Sequence, residues 1–64
     1  MGFLIKEVRL QKGLTQEELA KKSNVSRTII AGLESGNVKT TSTKTLVKLA
    51  KALERPVTSI FFED

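Results

Sequence analysis

No disulfide, thiolate metal site or imidazole ligand can staple this chain, because its 64 residues include neither cysteine nor histidine. A domain of this length buries only about 60% of the surface its unfolded chain exposes. Stability must therefore come from close packing of short regular elements, helices above all, or from a partner subunit. The same two absences remove the commonest general base and the thiol nucleophile. The acids stand mostly where they suit helix caps or ion pairs. The sequence thus offers no catalytic constellation, no metal site and no cofactor motif, and an enzyme is not expected.

The charge balance is 11 Lys and Arg against 7 Asp and Glu, a net +4. A small basic domain points to an anionic partner, nucleic acid before membrane. The bland alternative is that the charge only keeps the chain soluble. The opening apolar run, Phe3-Leu4-Ile5, is too short for a signal-peptide core or a membrane span. Lys6 stands where a myristoylation signal after Gly2 would carry Ser or Thr. The expected location is cytoplasmic, on the nucleoid of a bacterium or on phage DNA, with no membrane partner and no small-molecule substrate. The whole chain, 1–64, reads as one domain.

Periodicity and punctuation predict five short helices and no strand. The first spans about Phe3 to Lys12, with Ile5 and Val8 on one face and Gly13 as a left-handed stop. The second opens on Thr15-Gln16-Glu17-Glu18, where Thr15 and Glu18 form a capping box, and it ends near Ser23 with Leu19 and Ala20 inward. Only Asn24 and Val25 separate it from the third, which Ser26 caps and Gly36 ends. Ile30 and Leu33 give that helix its inward face. In the Ser35–Thr45 stretch six of eleven residues are Ser or Thr, and its first part reads as loop. Ser42 caps a fourth helix carrying Leu46, Leu49, Ala50 and Leu53 at i, i+3, i+4 and i+7. Pro56 suits the first turn of a short fifth, with Val57, Ile60 and Phe61 inward.

Two helices joined so tightly, the second opening on polar and basic residues, form a helix-turn-helix arrangement. The series Val8-Arg9, Gly13-Leu14-Thr15-Gln16-Glu17-Glu18-Leu19-Ala20, Val25-Ser26-Arg27, Ile30, Leu33-Glu34-Ser35-Gly36 and Leu46-Val47-Lys48-Leu49-Ala50-Lys51-Ala52-Leu53 resembles the Cro/CI-type helix-turn-helix family. That family includes the DNA-binding domains of lambdoid phage repressors, and the resemblance runs from about Phe3 to Phe61. It implies an all-α, compact, five-helix, lambda-repressor-like fold whose third helix, about Ser26–Ser35, enters the major groove of double-stranded DNA. It implies base readout by Arg27 and Thr28, with Ile29, Ala31 and Gly32 beside them. Arg27 would pair with guanine O6 and N7. It implies phosphate contacts from Gln16, Ser26, Ser35, Asn37, Lys39 and Thr40, with Gln16 also bracing the third helix. It further implies a partly buried ion pair between Arg9 and Glu34.

The expected activity is that of a dimeric repressor on a near-palindromic operator, with half-sites about 34 Å apart. Thr41, Thr43 and Phe62 are the expected dimer contacts. Bland readings stand beside these roles: Lys6, Lys12, Lys21, Lys22, Lys48 and Lys51 read as solvated faces, and Ile29 as a residue packed on a neighbouring helix.

Three departures from the family pattern matter. Gly32 stands where many relatives carry a long polar side chain, which leaves Ala31-Gly32 with nothing to reach bases. Glu54 stands where a glycine usually caps the fourth helix, so that turn is expected to differ or to be strained. Leu4 and Leu10 occupy positions usually polar, and Phe62 lies past the last core residue, which suggests a partner surface. Two further functions stay open: an antitoxin or restriction-modification controller of the same fold, and a protein-interaction module that has lost base readout.

Overall fold

The computed structural model describes residues 2–62, with Phe62 described by its backbone only. Four α-helices account for most of them: α1 (Ile5–Gln11), α2 (Gln16–Ser23), α3 (Arg27–Ser35) and α4 (Thr43–Leu53). The starts of α2, α3 and α4 follow from single side chains. Thr15 Oγ1 accepts from the Glu18 amide at 3.0 Å, and Glu18 Oε1 accepts from the Thr15 amide at 2.9 Å, which completes the capping box. Ser26 and Ser42 accept from the amides of Ile29 and Thr45 at 3.2 and 3.1 Å. Gly13, Asn24 and Gly36 adopt left-handed backbone where the first three helices stop.

The expected fifth helix is not there. Val57–Ser59 makes a single 3-10 turn after Pro56. The chain then extends, and β2 (Phe61–Phe62) pairs antiparallel with β1 (Gly2–Phe3) in the register Gly2↔Phe62 and Phe3↔Phe61. The Leu4 amide donates to the Ile60 carbonyl at 2.9 Å and extends the pairing. The first helix accordingly begins at Ile5, two residues later than expected, because Gly2 and Phe3 belong to the ribbon. Ribbon pairing satisfies the backbone at once, whereas three residues after a proline cannot sustain an α-helical nucleus. The rings of Phe3 and Phe61 meet at 6.0 Å between centroids, so the two ends of the fold are clasped together.

Each of the four α-helices sends at least one aliphatic side chain into a single core, and Ile60, just before β2, joins them. Ile5, Leu19, Ile30, Leu49, Leu53 and Ile60 are all fully buried. Burying one such side chain stabilises by about 1.5–3 kcal/mol. Leu4 and Leu10 remain on the surface, Leu10 at 58% exposure. None of the described helices is long and apolar enough to cross a membrane.

Glu54 takes the glycine's role without being one. Its φ is 56°, and as the residue ending α4 it donates its amide to the carbonyls of Ala50 and Lys51. The turn is therefore the usual left-handed one, built from a residue whose Cβ disfavours it. Left-handed backbone costs a non-glycine residue about 1–2 kcal/mol. Glycine's extra freedom in the unfolded chain costs about 0.4–1 kcal/mol. The exposed Lys12–Glu54 pair, at 3.4 Å, adds little to either side. Glu54→Gly is therefore expected to stabilise the domain by about 0.5–1 kcal/mol. A lower melting temperature for this variant than for the wild type would refute that account.

Candidate nucleic-acid interface

Arg9 on α1 and Glu34 near the end of α3 meet in a side-on fork. Arg9 Nε donates to Glu34 Oε2 at 2.8 Å, and Arg9 Nη2 donates to Glu34 Oε1 at 2.9 Å. The two side chains keep 9% and 4% of their exposure, so the pair is desolvated. Arg9 Nη1 donates to the Leu14 carbonyl at 2.7 Å, in the turn between α1 and α2. Gln16, the first residue of α2, donates from Nε2 to Glu34 Oε1 at 3.1 Å. One network thus fixes α3 against both preceding helices. No buried side-chain polar atom among the described residues lacks a partner.

The network sets the charge states. Burial pushes the Glu34 carboxyl up, but hydrogen bonds from Arg9 and Gln16 and the positive charges of Arg9 and Lys6 outweigh it, and the net direction is down. The Glu34 hydrogen bond holds the Arg9 guanidinium above its ordinary value, against the opposing effect of burial. The exposed Glu18 carboxyl is also lowered, by hydrogen bonding from the Thr15 amide first.

Held this way, α3 turns Ile30 and Leu33 inward and presents Thr28, Gly32 and Ser35, at i, i+4 and i+7, on the opposite side. These three residues line an open concavity of about 640 Å³ with Ala31. Gln16, Arg27, Asn37 and Val38 complete its lining. The structure thus gathers seven of the expected contact residues, Gln16, Arg27, Thr28, Ala31, Gly32, Ser35 and Asn37, around one surface feature. Ile29 is exposed at 39% but does not line the concavity; it lies on the far flank of α3, beyond Thr28. Lys39 and Thr40 are exposed in the loop and also stand outside it. Ser26 is occupied as the cap of α3. Ser35 already donates its hydroxyl to the Gly32 carbonyl at 3.2 Å and accepts from the Asn37 amide at 3.4 Å. Of the expected dimer contacts, Thr41 is half-buried and Thr43 exposed, while the Phe62 side chain lies outside the described residues.

Gly32 has a different role from the one its sequence position suggests. A Cβ added there would overlap the Val38 Cγ2 methyl and come within 3.2 Å of Val38 Cβ. The Val38 amide donates to the Gly32 carbonyl at 3.0 Å. The glycine lets the loop after α3 close onto the helix, and Val38 fills the space where a side chain of α3 would stand. Sequence reasoning gave Val38 no role. The available signal was a lone aliphatic residue in a polar loop, six positions after a helical glycine.

The closely joined pair α2 and α3, the left-handed Asn24 between them (φ 60°) and the polar outer face of the second helix define a helix-turn-helix domain. The chain belongs to the Cro/CI-type helix-turn-helix family, and the helix-turn-helix family model matches residues 5–60. It is similar to the ImmF control region 10 kDa protein of Bacillus phage phi105, with 44% identity over 50 residues, 78% of this chain and 54% of the phage protein. The chain therefore spans little more than half the length of that relative. An uncharacterized HTH-type transcriptional regulator of Archaeoglobus fulgidus is 38% identical over 64 residues, 100% of this chain and 90% of the archaeal protein. Among solved structures, a point mutant of a restriction-modification controller protein superposes with a TM-score of 0.77 at 44% identity, covering 86% of this chain and 70% of the controller.

Two expectations follow from these contacts. Because Glu34 and Glu18 are held charged in the fold, the unfolded chain binds protons more readily in acid. Their contribution is complete above the ordinary carboxylate value and is lost as pH falls through the lowered native ones. The melting temperature should therefore drop between about pH 6 and about pH 3. Glu34→Gln should start lower and show a shallower acid slope, the remainder coming from Glu18. An acid slope identical to that of the wild type would contradict the pairing. For Gly32→Ala, overpacking costs about 1–3 kcal/mol and better helix propensity returns about 1. The variant should lose up to about 2 kcal/mol, and Gly32→Ala combined with Val38→Ala should recover most of that. A thermal melt of the two forms checks this, and no recovery in the double variant would remove Val38 as the cause.

Proposed function

We propose that residues 1–64 form the DNA-binding domain of a transcriptional regulator, acting as a dimeric repressor that places α3 in the major groove of a near-palindromic operator. The observation that carries this reading is the surface of α3 turned away from the core, where Arg27, Thr28, Gln16 and Asn37 ring one concavity on a chain of net charge +4. Arg27 reads guanine from the first turn of α3, and Gln16, braced by Glu34, grips a phosphate beside it. Ser26, Ser35, Asn37, Lys39 and Thr40 grip the backbone on either side. Thr41, Thr43 and Phe62 meet the second subunit, and the two readers face half-sites about 34 Å apart. Operation by occupying promoter DNA needs no cofactor.

A second reading differs only in biological setting. The likeness to a restriction-modification controller protein favours a regulator of such an operon, with the same fold and the same reading face. The neighbouring genes separate the two.

Binding to a duplex enriched from random sequence should weaken steeply with salt, by roughly one order in affinity per order in salt for each phosphate gripped. Arg27→Ala should narrow the gap between enriched and random duplexes by about 1–3 kcal/mol. Lys39→Ala should weaken both alike and lower the salt slope by about 1. Equal binding of random and enriched duplexes by the wild type and by Arg27→Ala would sink the readout. No shift of any duplex at low salt would favour a protein-interaction module instead.

A further inference from the structure

The concavity over α3 has a chemical character that the polar contacts around it do not use. Part of its lining is apolar: Ala31, Gly32 without a Cβ, and Val38, which the loop delivers against Gly32. Val38 is half-buried and packs against the main core, and its amide is tied to the Gly32 carbonyl at 3.0 Å. Its β-branched side chain has little rotamer freedom, so the surface it presents is set before any partner arrives. Arg27 and Asn37 flank this apolar strip, and both carry donor groups suited to base edges. Among the features that base pairs present in the major groove, the thymine C5-methyl is the apolar one.

We propose that Val38, together with Ala31 and the bare Gly32, forms a seat for a thymine methyl, so that a loop residue reads a base where α3 itself offers no side chain. The inference rests on the DNA-binding reading above and adds a specificity-determining residue to it. Gly32 is the positioning residue of the seat, since any Cβ there would push Val38 away. Ile29 is the competing apolar reader, on the far flank of α3. The two assignments predict sensitivity to different side chains.

The test replaces each thymine of a duplex enriched by the wild-type protein with deoxyuridine, which differs only by the missing methyl. One thymine in each half-site should then bind about fourfold more weakly, the loss expected for one methyl withdrawn from apolar contact. In Val38→Ala that penalty should vanish, while the penalty for altering the base pair read by Arg27 should remain. The scan on the wild type stands even if Val38→Ala folds poorly. An enriched site indifferent to every uracil overturns the seat and leaves DNA binding intact. A uracil penalty that persists in Val38→Ala but disappears in Ile29→Ala overturns it as well and assigns the methyl contact to α3. Failure to enrich any duplex overturns the DNA-binding reading itself, and the seat with it.

Discussion

Glu34 accepts from two helices at once, and the orientation of α3 depends on that fact. The carboxylate takes both arms of the Arg9 fork from α1 and the amide of Gln16 from α2. A desolvated ion pair of this kind need not add much net stability, because removing two charges from water is costly. What it supplies is geometry. A planar guanidinium meeting a carboxylate side-on tolerates little rotation, and the third donor on Arg9 is committed to Leu14 in the turn between α1 and α2. Removing one partner leaves the other charge buried, at a cost of about 3–5 kcal/mol. That cost holds α3 at one rotation about its axis, with Thr28, Gly32 and Ser35 outward.

The fold meets the shortage of core and the lack of cross-links by pairing its first and last described segments. Gly2 and Phe3 pair with Phe62 and Phe61, and the Phe3 and Phe61 rings pack against the core. Two hydrogen-bonded residues at each end contribute little by themselves. Their effect is to prevent fraying next to Ile5 and Ile60, both fully buried. The clasp takes the place that a fifth helix would have filled.

What could be read from the sequence was what acts locally. Thr15, Ser26 and Ser42 announce their helices because a cap needs only its own side chain and an amide three residues on. Asn24 and Gly36 announce stops for the same reason. The ribbon was invisible because two residues have no alternation to detect, and the Pro56-Val57 step looked like a helix start. At Glu54 the missing glycine left open a different turn or a strained one, and the backbone takes the second course, keeping the left-handed geometry on a residue with a Cβ. The Arg9–Glu34 pair came from resemblance, since nothing local links positions 25 apart. Gly32 looked like a gap in the reading helix. Its partner, Val38, approaches across a loop with no periodicity, so only the three-dimensional arrangement explains the glycine.

That closure has a consequence for how the proposed DNA face would work. Asn37, Lys39 and Thr40 lie on the loop, while Arg27 and Thr28 lie on α3. If the loop moved independently, the grip on the phosphates and the reading of bases could adjust separately. The Val38 amide on the Gly32 carbonyl and the valine side chain over the bare Cα remove that freedom at one point of the loop. Ser35 adds a second tie, since its hydroxyl bridges the Gly32 carbonyl and the Asn37 amide. In the proposed complex, backbone register would therefore fix the depth at which α3 meets the groove. A reader with a long side chain at position 32 reaches further but gives up this closure; a reader with glycine there trades reach for a rigid surface shared by helix and loop.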